Sequence, residues 1–542
     1  MDNPQIPVDL WRWLLALSPI VVLLVLLVFV RWRGTEAGPM GMFTAALVAL
    51  LAFRTPVETL AVAGAKGVWD AIFILYVVWP ALLLYHIINR AGGFDALRRG
   101  ITRFSRNELF IIIALGWVFS SFLQGVAGFG TPIAVVAPLL VAVGVQPVYA
   151  VTIPLIAHLW AKFFGTLGVG WLATLQVVEL RDVTATAFQS GLLLIITALL
   201  GGFFVAWLYG RWAAVRHAWP LVLIIAAIQG VGQMLLTLVD PVLSAFLAGA
   251  LALVALYPLS RWKRYAEPPQ DIPDRPAMRE DRDEADDGKQ PVMSLLMSFF
   301  PYLVLTAVTL AALLIPALDD LLRRIQVGLP FPAVETGFGL RNEAAAPYSP
   351  FRPLTHPGTF LLITSLITWL VYRARGYDSA WARRDRPGAS LGRQLVQDAV
   401  PASVPVIAFL VMSRVLDHTG QTNVLALGIA EVAPALVYAV LANAIGALGA
   451  FMTSSSTSSN VLFSDLQSTV ADLRELPQET IIAAQSAGGA IGNAVAPANV
   501  VLGASTAGIK WQEGEVLRQA MPWTVLAVLL TGLATLALVA FG

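Results

Sequence analysis

Apolar stretches of about twenty residues recur from one end of this chain to the other, separated by short polar runs rich in arginine. Wound as helices, stretches of that length match the thickness of a bilayer's hydrocarbon core. The pattern predicts helices over 11–31, 40–53, 69–89, 148–174, 186–209, 219–238, 241–260, 293–315, 358–374, 394–416, 478–508 and 516–541. A short surface helix is expected over 57–67, with Glu58, Lys66 and Asp70 at the interface. Arg414, Asp417 and His418 fall at a helix end and are expected there too. Two further stretches, 108–145 and 433–475, are apolar but broken by Gly, Pro, Ser and Thr. The first run, Trp11 to Val30, is too long for a signal-peptide core and ends in Arg31-Trp32-Arg33, so it reads as a spanning helix. The expected fold is an all-α integral membrane protein with roughly 12 transmembrane spans plus two hairpins.

Positive charge sets orientation. The basic ends are Arg31/Arg33, Arg90 to Arg106, Arg211/Arg216, Arg261/Lys263/Arg264 and Arg373 to Arg393, including Arg383, Arg384 and Arg386. All fall on the cytoplasmic side if 108–145 enters and leaves the membrane from that side. The N-terminus and 316–357 then lie outside. Landmarks recur at a nearly constant offset: Gly92, Leu97, Gly100 and Ile101 as Gly420, Leu425, Gly428 and Ile429, then Phe122 as Phe451 and Pro147 as Pro477. Seven spans separate the two interrupted stretches, so the second enters from the opposite side. That is an inverted-topology repeat with re-entrant hairpins and broken helices, an architecture typical of secondary transporters. The expected organisation is a first transmembrane half over 1–260, a hydrophilic cytoplasmic linker over 261–291 with a mixed-charge run from Asp281 to Asp287, and a second half over 292–542.

Composition narrows the class. Hydrophobic residues make up 57% of the 542 and charged residues 13%, against roughly 25% charged in soluble domains. A net charge of +1 gives no reason to expect a nucleic-acid partner. There is no cysteine, and the five histidines show no zinc-site spacing, so no metal or other cofactor is expected. His-Glu-x-x-His, Gly-x-Ser-x-Gly and intramembrane carboxylate pairs are all absent from the sequence, which argues against an enzyme.

The candidate chemistry lies in the interrupted stretches. The first reads Gln124-Gly-Val-Ala-Gly128-Phe129-Gly130-Thr131-Pro132 and the second Thr453-Ser454-Ser455-Ser456-Thr457-Ser458-Ser459-Asn460. Gly130 and Pro132 break a helix, with Thr131 expected to cap a new one. The hydroxyl run competes for backbone bonds, and Ser459 or Asn460 is expected to cap the next helix. Unwound backbone survives at membrane depth only inside protein or beside a wet cavity. Helix N-termini starting there attract anions. Small-residue packing between helices is the competing explanation for the glycines. His158 and Lys162 are four apart, on one face of the predicted 148–174 helix. Gln485, Ser486, Asn493 and Asn499 fall on the corresponding helix of the second half, which Gly488, Gly489, Gly492 and Pro497 suggest is broken.

At Gln124–Pro132 and Thr453–Phe463 the chain resembles the L-lactate permease family, and the resemblance covers nearly its whole length. It implies a proton-coupled symporter of lactate, glycolate or related 2-hydroxymonocarboxylates in a prokaryotic plasma membrane, with a homodimer among the assemblies of the wider superfamily. Gln124 and Ser455 stand where the family commonly has Glu and Asp, and a Lys is common near Asn493. These departures leave the coupling ion, proton or sodium, open. His158 would take over the proton and Lys162 the fixed positive charge. The expected substrate site is Gln124, Gly128, Gly130, Thr131, His158, Lys162, Thr453, Ser454, Ser455, Thr457, Ser459, Asn460, Gln485 and Asn493. A carrier of another organic anion, an anion channel, and a receptor that lost transport are the alternatives.

Overall fold

The computed structural model describes residues 6–30, 32–102, 105–128, 130–269, 271–279, 293–315, 320–377, 390–509 and 512–541. Arg31, Arg103, Phe129, the charged run Asp281–Asp287, and Arg383, Arg384 and Arg386 lie outside them. The chain is an almost wholly helical membrane protein. Its helices are α1 (Leu10–Leu24), α2 (Gly34–Ala52), α3 (Val57–Arg90), α4 (Gly93–Thr102), α5 (Glu108–Val126), α6 (Thr131–Ala142), α7 (Pro147–Ala157), α8 (Gly165–Val177), α9 (Val183–Leu236) and α10 (Pro241–Ser260). They continue as α11 (Leu295–Leu314), α12 (Pro357–Ala374), α13 (Leu391–His418), α14 (Gln421–Val432), α15 (Ala435–Thr453), α16 (Ser456–Leu473), α17 (Gln478–Gly492), α18 (Pro497–Thr506) and α19 (Glu513–Phe541).

Among the described residues, nine helices are long and apolar enough to cross a membrane. Their outer faces expose Leu51, Val254 and Leu533, a surface that suits lipid and not water. The predicted 148–174 helix is two helices, α7 and α8, separated by a 3₁₀ turn at Leu159–Ala161, and α8 is itself kinked in its first turn by left-handed backbone at Thr166, Leu167 and Gly168. The predicted 186–209 and 219–238 helices are one run, α9, kinked at Gly210 and Arg211. The expected surface helix over 57–67 is the first part of α3, which runs unbroken for 34 residues.

The all-helix expectation fails in the connection before α12. Two antiparallel hairpins form there, β1 (Val327–Phe331) with β4 (Ala345–Phe351) and β2 (Val334–Glu335) with β3 (Arg341–Asn342). They cover the ends of α3 and α13. Thr59 Oγ1 donates to Glu335 O at 3.0 Å, and Asn342 Nδ2 donates to His418 O at 3.0 Å. Under that cover Lys66, Asp70 and His418 are buried, and only 12% of the Arg414 side chain is exposed. These charges are therefore internal, not interfacial, because each finds a partner across α3 and α13.

Each interrupted stretch is a helical hairpin whose two ends meet. Asn107, before α5, donates from Nδ2 to Arg264 O at 3.4 Å, and Gln146, after α6, donates from its backbone N to Ala277 O at 2.7 Å. Both ends thus rest on 264–279, where Tyr265, Ile272 and Ala277 are buried. In the second, Arg474 Nε donates to Ala433 O at 2.9 Å. The first pair of ends lies beside His217, which bonds Arg264 O. The second pair follows α14, whose Leu425 O accepts from Trp13 Nε1 at 3.3 Å near the start of α1, at the β-hairpin side.

Candidate functional site

The breaks between the hairpin helices form by local rules. Between α5 and α6, Gly130 takes φ = 85°, a left-handed conformation that a side chain disfavours, and serves as N-cap. Thr131 is therefore the first residue of α6 and not its cap, and no side-chain cap bond forms. A Cβ on Gly128 would lie 2.3 Å from Thr166 Oγ1, and one on Gly130 2.5 Å from Leu502 of α18. The Gly128 N–H donates to Thr166 Oγ1 at 2.8 Å. Gln124 is buried against Gly128 and Gly165.

Between α15 and α16, Ser454 takes φ = 56°. Left-handed backbone costs a non-glycine residue about 1–2 kcal/mol, and Thr166 and Leu167 carry the same strain. The cap of α16 is Ser455, whose Oγ accepts from Ser458 N at 3.1 Å; Ser459 and Asn460 lie inside the helix, not at its cap. The Ser456 and Thr457 N–H groups, in the first turn, have no intrahelical acceptor. Thr453 Oγ1 donates to Gly449 O at 2.8 Å and Ser455 O at 3.0 Å, tying the end of α15 to the turn.

The break after α7 meets the break of the second hairpin through one chain of polar contacts. Lys162 follows the 3₁₀ turn after α7, and its Nζ donates to Asn493 Oδ1. Asn493 follows α17, and its Nδ2 donates to Ser454 O at 3.0 Å. Ser454 Oγ accepts from Ala498 N at 3.2 Å, at the start of α18. Asn499 Nδ2 adds a bond to Asn493 Oδ1 at 2.8 Å. Lys162 and Asn493 are buried, while Gly130, Ser454, Ser455, Ala498 and Asn499 keep solvent access. The result is a crevice with a cation at its base, the first turns of α16 and α18 on its walls, and hydroxyls at its edge. Such a lining suits a small carboxylate.

Other expected site residues lie elsewhere. His158 does not share a helical face with Lys162; it ends α7, fully buried, with Nδ1 2.9 Å from Ser120 Oγ. Gln485 Nε2 donates to Ser459 Oγ at 3.2 Å and also contacts Asn460 Oδ1, and its Oε1 accepts from Gln467 Nε2 at 3.0 Å. These four residues lock α16 to α17. The predicted 478–508 helix is broken as expected, by a 3₁₀ turn at Asn493–Val495 between Gly492 and Pro497; a Cβ on Gly488 or Gly492 would lie 1.8–1.9 Å from a backbone oxygen of α15, so both glycines also permit close packing.

A cavity of ≈ 410 Å³ opens on the β-hairpin side and reaches Leu167, beside Thr166. Asp240, Arg352 and His356 line it. Burial pushes the His356 imidazole down to about 3, leaving it neutral, and Arg352 is exposed.

A family profile described as L-lactate permease matches residues 12–541. The chain belongs to the L-lactate permease family. Glycolate permease GlcA of Escherichia coli strain K12 is 24% identical over 96% of this chain and 95% of its own length. An L-lactate permease of Salmonella typhi is 27% identical over the same shares of the two chains. The solved Alcanivorax borkumensis YdaH transporter aligns with 87% of this chain and 86% of its own, at 15% identity and a TM-score of 0.42.

Sequence reasoning did not single out Thr166, the partner of the Gly128 N–H, or the bond from Asn499 to Asn493. Gly165-Thr-Leu-Gly168, a glycine pair flanking a threonine within an apolar run just after Lys162, was the available signal for the break in 148–174.

Proposed function

We propose that the protein is a secondary active transporter of L-lactate, glycolate or a related 2-hydroxy acid in a prokaryotic plasma membrane. The supporting observation is the contact chain Lys162–Asn493–Ser454, which joins the two broken regions at a solvent-reachable crevice. The carboxylate displaces the Asn493 amide oxygen as partner of the Lys162 ammonium and takes the first-turn N–H groups of α16. The 2-hydroxyl meets Ser454, Ser455 or Asn499. Substrate specificity comes from the names of the relatives, a lactate and a glycolate permease.

The same proposal includes two inverted halves, 1–260 and 292–542, joined by the 261–291 linker, with the two hairpins re-entering the membrane from opposite faces. The order long helix, left-handed glycine, short helix, hairpin, broken helix, long helix runs once from α3 to α9 and once from α13 to α19. Gly92 and Gly420 hold the same place in the two series, at φ = 76° and 81°. Paired broken helices around one site favour alternating exposure over a continuous pore.

Proteoliposomes test the reading. Labelled L-lactate uptake should saturate and show counterflow when the vesicles are preloaded with unlabelled lactate or glycolate. Non-saturating flux without counterflow would indicate a channel, and absence of flux with every 2-hydroxy acid would remove the substrate assignment.

A further inference from the structure

Beneath the β hairpins, α3, α13 and α16 bring together ionisable groups that the substrate crevice does not use. Asp70 Oδ2 accepts from Arg414 Nε at 2.7 Å and from Tyr348 OH at 3.0 Å. Lys66 Nζ lies 3.0 Å from His418 Nε2, and His418 Nδ1 lies 3.2 Å from Asp417 Oδ2. An ammonium only donates, so Nε2 of His418 accepts and its proton sits on Nδ1, donated to Asp417. On α16, Asp465 faces Asp417 and Arg414, with the Thr422 hydroxyl of α14 beside it. Asp465 Oδ2 is sealed from solvent and has no hydrogen-bond partner among the described residues.

The charges around this group do not balance. Three carboxylates, Asp70, Asp417 and Asp465, meet two cations, Lys66 and Arg414. Asp70 takes Arg414, and Asp417 takes the Lys66–His418 pair, so the carboxylate left over is Asp465. The further cations on α16 are engaged at its C-terminal end, Arg181 with Asp472 at 2.9 Å and Arg474 with Ala433 O at 2.9 Å. Glu431 of α14 is exposed, α17 brings Glu479 at its first turn, α15 brings Tyr438 bonded to Gln467, and α8 has no ionisable side chain. An unpaired carboxylate in a low-dielectric setting is costly, and one proton neutralises the whole cluster. The cluster is open at Asp417, 42% of whose side chain is exposed.

We propose that Asp465, opposed to Asp417, is the proton-carrying group that couples carboxylate transport to the proton gradient; this rests on the transporter reading above. Asp465 and the cap residue Ser455 belong to one helix, about 15 Å apart along its axis at 1.5 Å per residue. With Asp465 ionised, repulsion from Asp417 pushes α16 away from α13. With Asp465 protonated, α16 seats against α13 and its N-terminal turn is held at the crevice. Proton and carboxylate thus bias the same element, and each raises the affinity for the other. The proton enters on Asp465 with the anion and leaves to water on the other side, so each cycle moves one proton and one monoanion.

The test uses the full chain in proteoliposomes, reading lactate exchange at equal pH and lactate accumulation under an inward proton gradient. In the wild type, accumulation should approach about tenfold per pH unit, the limit for one proton per monoanion. Asp465→Asn should hold accumulation near onefold while exchange persists, and Asp465→Glu should restore the gradient response. Gradient-driven accumulation equal to wild type in Asp465→Asn overturns the proposal, as does loss of exchange together with drive. If Asp465→Asn does not fold, Asp417→Asn decides. It leaves two carboxylates against two cations, so the gradient response should fall, and a full response overturns the proposal. Wild-type exchange without any gradient response overturns the coupling assignment alone. No wild-type exchange overturns the transporter reading and takes this inference with it.

Discussion

The first break is built on the missing side chains of Gly128 and Gly130, whereas the second, 454–455, is built from hydroxyls. In the first, glycines let the chain turn, and a neighbour supplies the polar atom, Thr166 Oγ1 on the Gly128 N–H. In the second, the turn supplies its own acceptors, with Ser455 capping α16 and Ser454 receiving Asn493 and Ala498. In both, the hairpin tip is held by the broken helix that follows it in the same half. At the crevice, Lys162 of the first half bonds Asn493 of the second. The first region thus contributes charge and space, and the second contributes hydrogen-bonding groups.

That division of labour sets an order of expected effects. Lys162→Met removes the cation from the crevice. Lactate kcat/KM should fall about 10- to 100-fold, the equivalent of ~1.5–3 kcal/mol for a hydrogen bond to a charged group. A smaller change than in the hydroxyl variants would reverse the assignment of charge to the first region. Next, Gly128→Ala forces its Cβ onto Thr166 Oγ1; transport should drop roughly tenfold and thermal stability by about 1–3 kcal/mol, whereas Ser454→Gly should be nearly neutral for stability, because glycine relieves the left-handed strain at φ = 56°. Equal losses at the two sites would erase the distinction. Ser455→Ala should cost about 1 kcal/mol through the lost cap and raise KM several-fold, with Ser455→Asp preserving stability because Asp caps a helix as well as Ser. Gln485→Met should lower the melting temperature with KM unchanged, since Gln485 bonds Ser459, Asn460 and Gln467 and not the crevice. Smallest of all, Arg352→Gln at the cavity mouth should reduce uptake at low ionic strength by about twofold and have no effect at high salt, where the field of an exposed charge is screened.

His158 sharpens the same contrast. It was the expected proton carrier in the first region, yet it is sealed against Ser120. His158→Gln should leave the gradient response in place, and its loss would return coupling to the first half.

Much of this was legible in the sequence. Gly128, Gly130 and Pro132 announce a break because glycine and proline act within a single turn, and the hydroxyl run from Thr453 to Ser459 does the same. Apolar stretches of spanning length announce lipid. The β hairpins at 327–351 were missed, because their side chains show no sustained alternation and their fold depends on docking over α3 and α13.

Local chemistry therefore determined the class of protein, the places where helices break and the family to which the chain belongs. Packing alone decided that Lys162 meets Asn493, 331 residues later, that Asp465 faces Asp417, and that His158 is shut away. Helix breaks follow from the backbone preferences of a few adjacent residues. A partner for a buried charge is selected by whichever helices the whole fold brings alongside, and no run of neighbours in the chain encodes that.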